Sequence, residues 1–158
     1  MSEEWTRGEY VISTDPARFD LGVIHGFLRG SYWAKGVPID IVERAIEGSL
    51  TFGIYRERAQ VGGARVITDA ATFAYVADVF VLEEHRGHQL GMWLMDCIAE
   101  HPQLQNLRRW MLGTRDAHSL YEKTGFTRMK SDDDRWMEKV DPDVYERLQE
   151  GREPGTKN

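Results

Sequence analysis

Cysteine is almost missing from this chain: Cys97 is the single one among 158 residues. One thiol excludes an internal disulfide and any cysteine-rich metal site, and it fits a reducing compartment. Long apolar runs are missing too. None approaches the roughly 18 residues that a membrane helix requires, so no membrane span is expected. Basic residues are outnumbered, 20 against 26 acidic, which leaves a formal net charge of -6. A phosphate backbone is repelled by such a surface unless the cations cluster, and no long basic run exists, so nucleic acid is disfavoured as a partner. The N-terminus, Met-Ser-Glu-Glu-Trp, has no apolar secretory core, which argues against export and makes the cytoplasm the expected location. There are no internal repeats and no linker.

What remains is an ordinary mixture, 41% hydrophobic and 29% charged. At this length it suits one compact domain over residues 1–158 that buries roughly two-thirds of its unfolded surface. Tyr10 to Ser13 reads as a strand, and Asp20 to Trp33 as a helix, with Leu21, Ile24, Phe27 and Leu28 at helical spacing. "SYWAKGVP" breaks that pattern. A second helix follows, capped by Asp40 and ended at Gly48. "SLTFGIYRE" and "QVGGARVIT" read as a hairpin around a polar turn. Phe73 to Leu82 is apolar on both faces, as a covered central strand should be. Leu90, Trp93, Leu94, Cys97, Ile98 and His101 form one helical stripe that buries Cys97. "RRWMLGT" is a strand and "DAHSLYEKTG" a short helix ending at Gly125. Two more strands are predicted, near Phe126 to Met129 and in "RWMEKV". From Asp141 a short helix leads into a frayed tail. The order β-α-α-β-β-β-α-β-α-β-β indicates a mixed α/β domain around one twisted sheet.

The junction "VFVLEEHRGHQLGMWLM" carries the chemistry. A helix that starts directly after a strand leaves several N–H groups without partners, and with the helix dipole these make an anion site. Gly87 and Gly91 remove side chains where a ligand or a neighbouring backbone comes close, although glycine also occurs in such turns for packing alone. Arg86 adds a planar fork of donors suited to phosphate. Neither "GxxxxGK[ST]" nor "GxGxxG" is present, which demotes nucleoside triphosphates and dinucleotides.

This stretch resembles the signature of the GNAT superfamily of acyl-coenzyme A-dependent N-acetyltransferases, a strand running into an "R/Q-x-x-G-x-G/A" turn that opens a helix. Arg86 and Gly91 match, and Gln89 stands where the middle glycine is usual. Its N–H is expected to remain a donor, with φ near the helical value of a first-turn residue. "AHSLYEKTGF" resembles the superfamily's "A-x-x-LYEKxGF" segment. Thr114 replaces an asparagine often found near the pantetheine arm. The resemblance implies a central, twisted, mostly antiparallel sheet with helices on both faces, and a coenzyme cleft where the fourth and fifth strands splay. It implies acetyl-CoA as co-substrate, bound by Phe80, Val81, Arg86, Gly87, His88, Gln89, Leu90, Gly91 and Thr114. It implies a primary amine of a small molecule or peptide as acceptor, and a homodimer as the common assembly, although no residue here marks an interface.

By the same resemblance Tyr121 is the general acid at the departing thiolate, and the backbone near Phe80 and Val81 faces the thioester oxygen. Tyr32 and Trp33 are candidates for walls of the acceptor pocket, or else core aromatics. Asp78 comes from the residues themselves: a carboxylate in a buried strand costs several kcal/mol unless compensated. Either it binds or deprotonates the substrate amine, or it forms a structural pair with an arginine such as Arg65. His85 and His88 lack a third ligand at useful spacing, so no metal is expected. The reading from a different class is a non-catalytic acyl-CoA-binding module. Acceptor identity lies beyond the sequence, because fold does not fix substrate.

Overall fold

The computed structural model describes residues 1–130 and 135–151. Its framework is a six-stranded sheet in sequence order: β1 (Glu4–Arg7), β2 (Tyr10–Ser13), β3 (Leu50–Arg56), β4 (Ala59–Thr68), β5 (Phe73–Val81) and β6 (Arg109–Leu112). Neighbours are antiparallel from β1 through β5, and β5 and β6 run parallel. The helices are α1 (Leu21–Leu28), α2 (Ile39–Glu47), α3 (Leu90–Glu100), α4 (His118–Glu122) and α5 (Val144–Glu150). None of them is long and apolar enough to cross a membrane.

The sheet has apolar layers on both faces. One gathers Ile12, Phe52, Ile54, Val66, Ala74 and Val76 under the α3 stripe of Leu90, Trp93, Leu94, Cys97 and Ile98. The other gathers Ile24, Leu28, Val42 and Phe80 under α1 and α2. Burial pushes the Cys97 thiol up to about 12, so it sits inert in the stripe.

Strand β5 serves both layers through a bulge. The pairs Arg65↔Ala77 and Gly63↔Phe80 leave two β5 residues, Asp78 and Val79, opposite Ala64 alone. Asp78 takes φ 56° at the extra position. An extra residue inverts the alternation of faces. Ala74 and Val76 therefore point to the α3 layer before the bulge, Val79 and Val81 point there after it, and Phe80 turns to the α1–α2 layer. On β4, a Cβ at Gly62 would lie 2.6 Å from the Phe80 carbonyl, and one at Gly63 2.6 Å from the Phe52 carbonyl. The glycine pair thus lets the central strands close.

Several expectations need correction. Helix α1 stops at Leu28 rather than Trp33. The Ser31 hydroxyl donates to the Leu28 carbonyl at 2.6 Å and accepts from the Ala34 N–H, which turns the chain out of the helix. Asp40 lies in the first turn of α2, whose cap position is Pro38. Strand β1 is an addition to the expected elements: its one apolar residue is Trp5, so it lacks the alternation that announces a strand. The strands predicted near Phe126–Met129 and in residues 135–140 are absent from the described chain. Phe126 instead donates its N–H to the Tyr121 carbonyl and packs on Tyr121 and Trp110, so the segment is tied to the end of α4. Trp136 meets β6 through its ring, which lies under the Arg109 guanidinium. Residues 152–158 of the expected tail lie outside the described residues.

Candidate active site

The fourth and fifth strands of the sequence reading are β5 and β6 once β1 is counted. They pair only from Phe73↔Arg109 to Val76↔Leu112. Beyond Val76, as the bulge at Asp78 begins, the edge of β5 facing β6 has no strand partner. An open stretch of parallel sheet leaves backbone N–H and C=O groups ready for an extended ligand. The Phe80 side chain is buried in one core, where it stacks on Phe27 with ring centroids 4.7 Å apart, and that of Val81 is partly buried against the other.

At the end of β5 the chain makes a single 3-10 turn, Glu83–His85, and enters α3. Arg86 Nε donates to the Val81 carbonyl at 3.1 Å, which fixes the stem of an otherwise exposed guanidinium. Gly87 has φ 87°, and a methyl added there would meet nothing within 4 Å, so conformation rather than crowding calls for glycine. At Gly91, by contrast, the nearest atom to an added methyl would be Leu120 Cδ2 at 3.6 Å. Gln89 departs from expectation. It is the helix cap, not a first-turn residue, with φ 57° and ψ 29°. The reason is the hydrogen-bond ladder: the first α-helical N–H, that of Trp93, donates to the Gln89 carbonyl. No side chain caps the helix, so the amides of Leu90, Gly91 and Met92 have no intrahelical acceptor. The Leu90 side chain is itself buried, and only its backbone can serve a ligand.

Two partners of this turn come from far away in sequence. Arg7 donates to the His88 carbonyl at 3.0 Å and lies over the Trp93 ring. The Tyr10 hydroxyl and His85 Nδ1 are 3.0 Å apart. They clamp the loop to β1 and β2, and nothing in the local sequence announces them.

Where β5 and β6 diverge lies a cavity of about 370 Å³ whose lining includes Tyr32, Trp33, Asp78, Thr114 and Tyr121. The predicted catalytic and acceptor residues thus converge, together with Thr114, and the Arg86–Gly91 turn stands apart at the far end of β5. Asp78 both lines the cavity and pairs with Arg65, whose Nε donates to Oδ2 at 2.8 Å; Trp33 Nε1 donates to Oδ1 at 2.9 Å. Arg65 also donates to Ser49 Oγ. The carboxylate is compensated on both oxygens by the protein itself. Thr114 Oγ1 accepts the Ala117 N–H at 3.0 Å, shaping the entry to α4. The Tyr32 hydroxyl accepts the Arg115 N–H at 2.9 Å, so the loop after α1 is strapped to the loop after β6.

Tyr121 is 9% exposed, and its hydroxyl has no hydrogen-bond partner among the described residues. Burial, with the nearby Tyr32 and the Asp116 charge, pushes its pKa above the ordinary tyrosine value. A phenol kept protonated at neutral pH, with its donor uncommitted, can give a proton to a ligand atom. Sequence reasoning missed Arg65 as a lining residue, and also Tyr75, Asp116 and Tyr145. Tyr145 arrives from α5, beyond both recognisable motifs.

This fold is that of the acetyltransferases. A solved GNAT-family protein from Xanthomonas campestris pv. campestris superposes with a TM-score of 0.83 at 46% identity, over 89% of this chain and 99% of that one. A GNAT acetyltransferase from Elizabethkingia anophelis, solved with acetyl-CoA bound, shares the fold at 12% identity and a TM-score of 0.61, over 78% of this chain and 80% of that one. In sequence, a Gibberella zeae protein bearing an acetyltransferase name is 37% identical over 142 residues, 77% of this chain and 80% of its own. The family model of the acetyltransferase (GNAT) domain matches residues 47–128. The chain belongs to the GNAT acetyltransferase family.

Proposed function

We propose that the protein transfers the acetyl group of acetyl-CoA to a primary amine by direct attack. The observation that carries the reading is Tyr121, a side chain nine-tenths buried whose hydroxyl opens to a cavity between diverging strands and has no hydrogen-bond partner among the described residues. The uncapped start of α3 supports it: the amides of Leu90 and Gly91, with the Gly87–Gln89 backbone and the Arg86 guanidinium, suit the pyrophosphate of a coenzyme. His88 contributes through its backbone as well, its carbonyl being held by Arg7. The open edge of β5 near Phe80 and Val81 would pair with the pantetheine arm, and Thr114 would border it.

In this reading the bound ammonium first gives one proton to water, and the neutral amine then forms the N–C bond as the C–S bond breaks. The surplus ammonium proton leaves to water, and Tyr121 gives its proton to the departing sulfur and recovers one from solvent. Asp78, matched by Arg65 and Trp33, holds the Trp33 wall in place rather than taking the proton. The test is calorimetry with coenzyme A together with thiol release from acetyl-CoA over a panel of amines. Micromolar to millimolar binding with turnover on at least one amine is the expected result. Binding with no turnover would identify a non-catalytic module, and no binding at millimolar coenzyme would remove the reading altogether.

A further inference from the structure

The cavity beside Tyr121 has a chemical character of its own, and this inference rests on the acetyltransferase reading just given. We propose that the acceptor is a compact primary amine with an apolar or aromatic body and neither carboxylate nor phosphate, drawn in as its ammonium by Asp116 and the surrounding aromatic rings.

Size comes first. A volume of about 370 Å³ sits near the lower end of small-molecule sites, roughly 300–1,000 Å³, and part of it must admit the acyl end of the donor. The bond from the Arg115 N–H to the Tyr32 hydroxyl joins the two loops that flank the cleft. A folded polypeptide needs an open groove, and a small amine does not.

Charge comes second. The charged side chains in the lining are Arg65, Asp78 and Asp116. Arg65 and Asp78 neutralise each other at 2.8 Å, and the remaining reach of Arg65 goes to Ser49. Asp116 forms no hydrogen bond or ion pair among the described residues. One arginine against two aspartates leaves the lining with a formal charge of -1. The neighbouring Arg115 does not line the cavity, and its guanidinium is stacked 4.0 Å over the Tyr32 ring. A carboxylate or phosphate on the acceptor would therefore find no unpaired cation within the lining itself, and the Arg115 guanidinium lies over the Tyr32 ring outside the lining, so its desolvation would go largely uncompensated.

Surface chemistry comes third. Tyr32, Trp33, Tyr75, Tyr121 and Tyr145 all line the space. Aromatic faces carry negative potential and attract an ammonium within about 6 Å of a ring centroid, and they give an apolar body extensive contact. Val37, Ile41 and Ala45 extend the apolar wall on the α2 side. Asp116 lies close enough to Tyr121 for its charge to act on the phenol, so an amine drawn to Asp116 arrives beside the proton donor.

The experiment compares kcat/KM at saturating acetyl-CoA for 2-phenylethylamine, phenylalanine, glucosamine 6-phosphate and a peptide with a single free lysine amine. The expected result is a preference of about 100-fold for phenylethylamine over phenylalanine, the scale on which unmatched polar groups discriminate substrates. In Asp116→Asn, an exposed position, KM for phenylethylamine should rise about fivefold, the worth of one exposed charge pair, with a smaller change in kcat and coenzyme Kd retained. Equal or better turnover of the carboxylated, phosphorylated or peptide amine overturns this inference while leaving the acetyltransferase reading intact. An unchanged KM in Asp116→Asn overturns the role of that carboxylate. No thiol release with any of the four amines overturns both.

Discussion

At the scale of single residues, Gln89 and Tyr121 are held in states that ordinary side chains avoid. Gln89 sits at φ 57°, where an L-residue bears a penalty of about 1–2 kcal/mol. Glycine there would relieve that strain while losing about 0.5–1 kcal/mol through unfolded-state entropy. Gln89→Gly should thus raise stability by roughly 0.5–1 kcal/mol and Tm by about 1–4 °C, with coenzyme Kd little changed if, as proposed, only the backbone faces the ligand. A fall in Tm on thermal denaturation would contradict the left-handed cap. Tyr121→Phe keeps the ring that packs against Phe126 and removes only the hydroxyl. Its kcat should fall about 100-fold, within the range of general acid catalysis, with coenzyme Kd retained. Since burial raises the phenol pKa, the proton is held at every pH below the ordinary value of about 10. The kcat profile should show no alkaline decline from Tyr121 until pH exceeds that value; a decline centred below pH 9 that disappears in Tyr121→Phe would place the phenol in a different environment.

At the scale of elements, the bulge in β5 determines where the cleft opens, and Asp78 is its key residue. Asp78 carries the left-handed turn, pairs with Arg65 and holds the Trp33 indole. Asn also tolerates φ above zero and can still accept from Trp33, but its amide turns a donor toward the guanidinium. The side chains of Arg65 and Asp78 are 20% and 15% exposed, so the unmatched cation should cost about 1–3 kcal/mol rather than the penalty of full burial. Asp78→Asn should lower Tm by several degrees and leave coenzyme affinity intact. An unchanged Tm with a large loss of kcat would make Asp78 the base instead. What the sequence disclosed of these elements follows from the range of the forces involved. The α3 stripe and the β3–β4 hairpin were legible because periodicity and turn residues act locally. The parity change across the bulge was not, since "VADVFV" is apolar on both sides and only the pairing with β4 reveals the extra residue. Strands expected after Gly125 failed for the same reason: alternation signals a tendency, and the pairing partner decides. Arg7 and Tyr10 brace a loop some 75 or more positions away, and no local pattern encodes such a contact.

At the scale of the whole molecule, the net charge of -6 opposes the approach of a polyanionic coenzyme. In the proposed reading affinity therefore comes from groups in direct contact, the α3 amides and Arg86, since fields beyond about 8–10 Å are screened at physiological salt. The same cleft lies at the seam between the two apolar layers, because β5 feeds both. A ligand seated along β5 binds the folded chain alone, and so stabilises it by mass action. At a concentration of 100 Kd this amounts to about 2.7 kcal/mol, or roughly 5–10 °C in Tm for a domain of this size. Removing the exposed guanidinium in Arg86→Ala should weaken coenzyme binding about tenfold, the worth of one charge-assisted hydrogen bond at a wet site. At the same ligand concentration the stabilisation then drops to about 1.4 kcal/mol, so the thermal shift should halve, while the ligand-free Tm stays where it was because the exposed Arg86 side chain is held among the described residues by a single bond, to the Val81 carbonyl. Differential scanning calorimetry of both proteins with and without coenzyme A separates the outcomes. A full-sized shift in Arg86→Ala would mean that the phosphates rest elsewhere on the surface, and a lowered ligand-free Tm would mean that the arginine holds the turn rather than the coenzyme.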